Sequence, residues 1–328
     1  MGDVQLTLAC DISDRTRSLA MGEVEPNGVD LNFLPTQVEE TFWRMLKHQE
    51  FDASEMSMSS YMMARDQGAP ELIAIPVFPS RFFRHSCIFV NADAGIEEPA
   101  DLKGKNVGVP EYQITAAMMI RGMLQHEYGV HPSDMHWYQG GEHDEGREEK
   151  LTVDLPEDVD MNALPAGTTL SESLATGEID ALVTARTPDS FETDAVERLF
   201  PDYKQVEQQY FTDTGIFPIM HCVVMREDVY EEHPWAAMEL YKAFAKSKQK
   251  CLERIGDTTE LVSALPWLHS EVEETRELMG WDYWPYGVEE NRHVLETMTQ
   301  YSYEQGLTKE KLDVDDLFAP NTYDEFKV

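Results

Sequence analysis

The chain has 328 residues and a formal net charge of -36, because 62 Asp and Glu outnumber 26 Lys and Arg. This negative charge argues against binding to nucleic acid or to anionic membranes, whose phosphates attract a basic surface. The length and a hydrophobic content of 42% predict two packed domains rather than a disordered chain.

The pattern of the first part of the chain predicts strands that alternate with helices. The predicted strands are 4–9, 30–34, 51–53 and 72–78. The predicted helices are 38–49, where the apolar residues keep helical spacing, and 60–67. This alternation predicts a mostly parallel sheet that is covered by helices.

A second series of strands and helices follows residue 91. Its predicted strands lie within 101–112 and at 135–138 and 179–184, and its predicted helices are 114–128 and 169–176. A further strand is predicted just before this series, at 87–90. The acidic segment 140–166 is rich in Gly and Pro, which is typical of a solvent-facing loop. A long strand is predicted at 215–225, and a largely helical region follows from residue 234, beginning with a helix at 235–255.

Two of these strands are predicted to connect two lobes. The strand near 87–90 leaves the first lobe, and the strand at 216–225 returns to it. We therefore predict a two-lobed α/β protein with two hinge strands and a ligand cleft between the lobes. Residues 1–88 and 216–328 form the first lobe, and 89–215 form the second.

The spread of acidic residues along the whole chain indicates a surface adapted to concentrated salt. At about 1 M salt the Debye length falls to ~3 Å, so repulsion between like charges is screened. We hypothesise a cytoplasmic protein of a salt-accumulating microbe; the alternative is an unusually acidic mesophilic protein. Equal unfolding midpoints in dilute and molar KCl would contradict the hypothesis.

The start of the chain and the cysteines agree with a cytoplasmic location. Residues 1–10 lack the basic and long apolar regions of an export signal, and no run of 18 apolar residues predicts a membrane span. The four cysteines form no CxxC pair and suit reduced thiols. We interpret Cys87 and Cys222, each within an apolar run, as buried structural residues.

Arg81, Arg84 and His85 form a cationic turn between two strand-like runs of this acidic chain. Positive charge at the end of a sheet predicts a site for an anion. Residues three apart on an extended segment point to opposite faces, so at most one arginine reaches the cleft unless the chain turns. The alternative is that one arginine pairs with surface carboxylates.

Several runs of the sequence resemble the 4,5-dihydroxyphthalate decarboxylases, a family built on the type 2 periplasmic-binding-protein fold. The run DLKGKNVGV at 101–109 resembles the entry to the second lobe of that fold. The more specific runs are FDASEMSMSSY (51–61), IPVFPSRFFRHS (75–86), VPEYQIT (109–115), TGIFPIMH (214–221) and MGWDYWPYG (279–287). The resemblance spans nearly the whole chain and implies conversion of 4,5-dihydroxyphthalate to protocatechuate and carbon dioxide.

The implied reaction needs cations for the carboxylates, a base for a phenolic hydroxyl and an acid for the ring carbon. Because a phenolate pushes electrons to the carbon para to it, no cofactor is expected. Arg81 and Arg84 are candidates to bind the carboxylates. His85, His221 and Glu55 are the catalytic candidates. The sequence leaves open which histidine is the acid and which is the base. It also leaves open which carboxylate departs.

Five further residues are candidates for substrate binding: Ser57, Glu111, Tyr112, Thr115 and Arg186. The segment before the helix at 114–128 is a place where free backbone amides could hold an anion. The alternative for that segment is ordinary helix capping by an acidic residue. For the histidines, the alternative is a structural role in a strand.

The sequence favours an enzyme without a metal over two other classes of protein. His131, His136 and residues 142–144 cluster in sequence but lack metal-binding spacing, so we interpret them as a solvated face. A non-catalytic binding protein for an aromatic or dicarboxylic solute is the runner-up. A pyrimidine synthase of the thiamine pathway ranks third, because its histidine- and cysteine-rich iron site is not found. The expected partner is a small aromatic dicarboxylate, with a homodimer as a weaker expectation.

Overall fold

The predicted alternation of strands and helices is confirmed by the structure, a computed structural model that describes residues 4–259 and 261–323. The strands are β1 (Val4–Cys10), β2 (Val29–Pro35), β3 (Ala53–Ser57), β4 (Leu72–Arg81), β5 (Ile88–Asn91), β6 (Asn106–Val109), β7 (His136–Gln139), β8 (Asp160–Ala163), β9 (Ala181–Val183), β10 (Val196–Arg198) and β11 (Ile219–Arg226). The helices are α1 (Arg17–Ala20), α2 (Val38–His48), α3 (Met58–Gln67), α4 (Thr115–Tyr128), α5 (Leu170–Thr176), α6 (Tyr203–Thr214), α7 (Glu227–Glu232), α8 (Pro234–Ile255), α9 (Leu268–Met279) and α10 (Arg292–Glu304). No helix in these residues is long and apolar enough to cross a membrane.

The chain divides into two units, each with its own sheet. The first unit comprises the described residues of Met1–Arg81, Ile219–Glu296 and Asp313–Val328. The second comprises Phe82–Pro218 and Thr297–Leu312. The predicted lobes differ from this division at 82–88, 216–218 and 297–312, all of which the prediction places in the first lobe. They stay a prediction.

The sheet of the first unit has the strand order β2-β1-β3-β11-β4 in the described residues. Strand β1 runs parallel to β2 and β3, and β11 runs antiparallel to β3 and β4. The start of β11 therefore lies at the edge where β3 ends, which brings His221 opposite Ser57. This edge therefore brings two polar residues of distant segments together.

The helices of the first unit form where the sequence gives them an apolar face and clear ends. In α2, Phe42, Met45 and Leu46 are buried while the opposite face, which includes Glu40 and Trp43, is exposed, so the helix packs one side inward. Helix α3 is capped by Ser57, whose side chain accepts a hydrogen bond from the Ser60 amide. It ends at Gly68, whose φ of 69° favours glycine.

The sheet of the second unit has the order β10-β5-β9-β6-β7-β8 within the described residues. Strands β9, β6, β7 and β8 are parallel, and β5 runs antiparallel to β9 and β10. Gly108 in β6 allows a close approach, because a Cβ there would lie 2.8 Å from the Leu170 side chain of α5. The apolar core of this region includes Phe89, Leu174 and Leu182.

The prediction that 140–166 is a solvent-facing loop is wrong in part. Strand β8 lies within this segment and pairs in parallel with β7. Glu142 and Lys150 are buried, and the Lys150 ammonium donates a hydrogen bond to Glu111, 39 residues earlier. This long-range ion pair holds part of an acidic segment inside the unit.

The region between residues 187 and 218 also differs from the sequence-based expectation. Strand β10 and helix α6 lie there, although no element was predicted between residues 187 and 214. The strand predicted to begin at residue 215 begins at Ile219, because Gly215 ends α6 with a φ of 68°. The extent of α6 therefore sets the start of β11.

Candidate active site

Glu55 and His221, two of the predicted catalytic residues, are hydrogen-bonded to each other in the first unit. His221 Nδ1 lies 2.6 Å from Glu55 Oε1. In the antiparallel pair of β3 and β11, Glu55 lies opposite Val223 and His221 opposite Ser57. The two side chains are thus diagonal neighbours on one face of the sheet, a separation that long side chains bridge.

The second carboxylate oxygen of Glu55 is held by the end of β1. Cys10 Sγ donates to Glu55 Oε2 at 3.3 Å, and the Asp11 amide donates to the same oxygen at 3.2 Å. Burial raises the pKa of the Glu55 carboxyl, but the hydrogen bond and charge of His221 and these two donors outweigh it. The pKa lies below its usual value, so Glu55 is a carboxylate at neutral pH.

The Glu55 carboxylate determines which nitrogen of His221 can react. A carboxylate accepts hydrogen bonds only, so Nδ1 of His221 carries the hydrogen that faces it. In the neutral ring, Nε2 then holds the lone pair. The His221 side chain is 19% exposed, and the Phe42 ring stands edge-on to it at 4.9 Å. The pair can therefore accept a proton at Nε2 and stabilise the resulting imidazolium.

The predicted binding residues Arg81 and Ser57 also hold the local structure of the first unit. Arg81 Nη2 donates to the Pro285 carbonyl at 2.7 Å and to Asn291 Oδ1. Burial lowers the pKa of the Arg81 guanidinium. Ser57 Oγ accepts from the Ser60 amide at 3.5 Å and so caps α3.

The other residues of the cationic turn, Arg84 and His85, lie in the second unit and are buried. Arg84 Nη1 donates to Cys87 Sγ at 3.5 Å. His85 is 0% exposed, with the Phe200 and Tyr210 rings each 5.1 Å from it. Burial lowers the pKa of His85 to about 4, so the ring is neutral at pH 7. Within the described residues neither ring nitrogen has a hydrogen-bond partner.

Glu111, predicted to bind substrate, is bound by basic side chains of the segment 140–150. Lys150 Nζ donates to Glu111 Oε1 at 2.5 Å, and Arg147 Nε donates to the same oxygen at 2.7 Å. Gln113 Nε2 lies 3.4 Å from the second oxygen. Glu111 is 1% exposed, so this carboxylate fastens the segment to the residues before α4.

Tyr112 and Thr115, two more predicted binding residues, are buried beside Glu111. The Arg121 guanidinium lies 3.6 Å from the centre of the Tyr112 ring, which is 1% exposed. Thr115 is the first residue of α4 and is 4% exposed. These contacts place the Tyr112 ring in the interior of the second unit.

Arg186, the last predicted binding residue, is exposed just after β9 and adjoins a buried carboxyl. Its amide donates to Thr184 Oγ1 at 3.2 Å, and this hydroxyl donates to Glu142 Oε2 at 2.7 Å. Burial raises the pKa of the Glu142 carboxyl, and the hydrogen bond from Thr184 offsets part of that rise. Glu142 therefore differs from Glu55, whose pKa is lowered.

Comparison with known proteins identifies the family. A family model described as "ABC transporter, phosphonate, periplasmic substrate-binding protein" matches residues 22–147. The chain is 41% identical over 330 residues to a 4,5-dihydroxyphthalate decarboxylase of Comamonas testosteroni, with 100% of both chains covered. The chain belongs to the 4,5-dihydroxyphthalate decarboxylase family. A decarboxylase of the same name from Pseudomonas putida is 44% identical over 191 residues, which cover 58% of this chain and 74% of that protein.

Membership in the 4,5-dihydroxyphthalate decarboxylase family confirms the resemblance and makes the chain a carboxy-lyase. Its fold matches the periplasmic aliphatic sulphonate binding protein SsuA of Escherichia coli with a TM-score of 0.53. The match covers 98% of this chain and 99% of SsuA at 14% identity, which is evidence for the fold alone. The predicted α/β fold of type 2 periplasmic binding proteins is confirmed.

Sequence reasoning missed three polar residues that this decarboxylase places beside predicted site residues. Cys10 contacts Glu55, and Thr184 links Glu142 to the amide of Arg186. The sequence could have indicated Cys10 and Thr184 as site residues. Each lies at the carboxyl end of a predicted parallel strand, where ligands usually bind. In the described ranges 4–259 and 261–323, no group of three or more His, Cys, Asp or Glu could hold a metal ion.

Proposed function

We propose that this member of the family converts 4,5-dihydroxyphthalate to protocatechuate and carbon dioxide. The relatives from Comamonas testosteroni and Pseudomonas putida carry the name of this activity. The observation in this chain that supports the proposal is the hydrogen bond between His221 and Glu55. It supplies a base that is oriented by a carboxylate, as the reaction requires.

In the proposed mechanism, His221 Nε2 takes the proton of the hydroxyl para to the departing carboxylate. Glu55 stabilises the imidazolium that forms. The phenolate oxygen pushes electrons through the ring to the carbon that carries the carboxylate, and this carbon takes up a proton. The bond to the carboxylate then breaks, carbon dioxide leaves, and the electron pair restores the aromatic ring. The product phenolate regains its proton from His221, so protons and electrons balance.

The residues that hold the two substrate carboxylates remain proposals. Arg186 fits this role because its side chain is exposed and its backbone is fixed by Thr184. Arg81 and Arg84 are proposed alongside it, although each is buried and bonded within its own unit. Guanidinium groups bind carboxylates in a bidentate manner, so one arginine would suffice for each carboxylate.

The experiment that tests the proposal is turnover by the purified full chain. 4,5-Dihydroxyphthalate is supplied, and carbon dioxide and protocatechuate are measured in dilute and in molar KCl, which also tests the predicted adaptation to salt. We expect both products in equal amounts. His221→Asn should lower kcat by about 10²-fold or more, because the base is lost.

His136→Asn is the matched control for the loss of a histidine. His136 also pairs with a carboxylate, Asp160, at 2.9 Å, but both side chains are more than half exposed. The control should keep the wild-type kcat. Tight binding of the substrate without turnover by the wild type would instead support the non-catalytic binding protein.

A further inference from the structure

We propose that Glu142 is the general acid that delivers the proton to the ring carbon, an inference that rests on the proposed function. Glu142 follows β7 by three residues and is 8% exposed. One of its oxygens, Oε2, accepts the Thr184 hydroxyl at 2.7 Å. The carboxyl is therefore fixed in orientation at the edge of the sheet where β7 and β9 end.

The other oxygen of Glu142, Oε1, is the atom that we assign to proton transfer. In the part of the chain that the structure describes, the buried Oε1 atom has no hydrogen-bond partner. The nearest ring nitrogen of His143 lies 3.9 Å away, beyond hydrogen-bond distance. A buried oxygen without a donor is costly, and the cost is greater when it carries charge. A neutral carboxyl with its hydrogen on Oε1 removes that charge and presents a proton.

The groups that face Glu142 offset only part of the effect of its burial. Burial raises its pKa, whereas Thr184, His143, Arg186 and Arg147 each lower it. Burial prevails, and the pKa lies above its usual value. A carboxyl with a raised pKa at the ligand edge of an α/β sheet is suited to the role of an acid.

The transfer itself is a simple exchange of bonds. The O–H bond of Glu142 breaks as a C–H bond forms at the ring carbon para to the phenolate, and Glu142 becomes a carboxylate. Loss of carbon dioxide then returns the electron pair of the C–C bond to the ring. Water protonates Glu142 again before the next cycle. His221 and Glu142 thus have different roles, as base for the hydroxyl and acid for the carbon.

The test compares Glu142→Gln with Glu145→Gln, an exposed residue of the same segment. Gln keeps the size of Glu but has no acidic proton. E142Q should lower kcat by about 10²-fold or more while KM stays within about threefold. E142D keeps an acidic proton and should retain more activity than E142Q. E145Q should match the wild type.

The pH profile gives a readout that a merely structural role would not move. Because the acid must be protonated, kcat of the wild type should fall as the pH rises through the pKa of Glu142. Thr184→Val removes a hydrogen bond that lowers this pKa, so the alkaline limb should move to higher pH. The residual activity of E142Q should lack that limb.

The outcomes distinguish a failure of the Glu142 assignment from a failure of the proposed decarboxylase function. Wild-type turnover with an unchanged kcat in E142Q overturns the assignment of Glu142, as does a raised KM at unchanged kcat. A wild type without turnover overturns the proposed function instead. In that case, an infrared band of a protonated carboxyl that is present in the wild type and absent in E142Q separates a neutral Glu142 from an ionised one.

Discussion

Glu55 in the first unit and Glu111 in the second are both almost fully buried carboxylates, but their partners differ in kind. Glu55 bonds to His221 at 2.6 Å. Glu111 bonds to Lys150 at 2.5 Å and to Arg147 at 2.7 Å. Histidine gains and loses a proton near neutral pH, whereas ammonium and guanidinium groups stay charged.

This difference separates a carboxylate that serves proton transfer from one that holds a segment in place. The charge on His221 can change during a reaction, and Glu55 responds by stabilising the charged ring. The charges around Glu111 are fixed, so its bonds persist throughout. The two residues are buried to a similar degree, and the partner decides between the roles.

The largest effect is expected from Glu55→Gln. The amide keeps the size of the side chain but no longer stabilises an imidazolium at His221, so kcat should fall by about 10²- to 10⁴-fold. Glu50→Gln is the control, because Glu50 also pairs with a cation, Arg44 at 2.6 Å, but is exposed. Steady-state kinetics of both variants test the prediction. A wild-type kcat in E55Q would remove Glu55 from the mechanism.

Glu55→Gln should also change the stability of the protein in acid. The pKa of Glu55 is lowered in the folded chain, so its carboxylate stabilises the fold above the ordinary pKa of about 4.3. That contribution is lost as the pH falls through the lowered value. Urea unfolding midpoints should therefore drop less steeply in acid for E55Q than for the wild type.

Glu111→Gln should affect stability instead of catalysis. It leaves the buried Lys150 ammonium and the Arg147 guanidinium without their carboxylate, which costs about 3 to 5 kcal/mol in buried pairs. Urea unfolding measures the loss, and Glu148→Gln, an exposed neighbour, is the control. The kcat of the folded fraction should stay within about threefold. Lost turnover at unchanged stability would support the predicted substrate-binding role of Glu111 instead.

The sequence predicts correctly those helices whose position is determined by the spacing of apolar residues. The helix predicted at 38–49 is observed at Val38–His48, because its apolar residues repeat with the period of a helix. Both partners of the Glu55–His221 pair were candidates, although they are 166 residues apart. The family resemblance and the expected hinge strands singled them out, and the contact itself follows from the antiparallel pairing of β3 with β11.

Prediction from the sequence fails where a contact with a distant residue buries a side chain that its own segment indicates to be exposed. Glu142 lies in an acidic, glycine-rich segment, so its composition indicates a solvated face. Its burial depends on Thr184, 42 residues away, and that of Lys150 depends on Glu111. The sequence pattern of one segment cannot predict contacts with residues that are distant in the chain.

The smallest effect is expected at His85, which contrasts with His221 in having no hydrogen-bond partner for its ring among the described residues. Its pKa is lowered to about 4, so between that value and the unfolded value of about 6.5 the unfolded chain binds more protons. The free energy of unfolding therefore decreases as the pH falls through this window. His85 accounts for a decrease of about 2 kcal/mol between pH 7 and pH 5.

His85→Phe removes the titration and fits a site already formed by the Phe200 and Tyr210 rings. The variant should lose less stability than the wild type between pH 7 and pH 5, as measured by urea unfolding at both pH values. At pH 7 it should be at least as stable, because two buried nitrogens without partners are gone. The opposite result is a variant that loses turnover but keeps the wild-type dependence of stability on pH. It would favour the predicted catalytic role, because the ring would be needed for the reaction and its burial would not control its protonation.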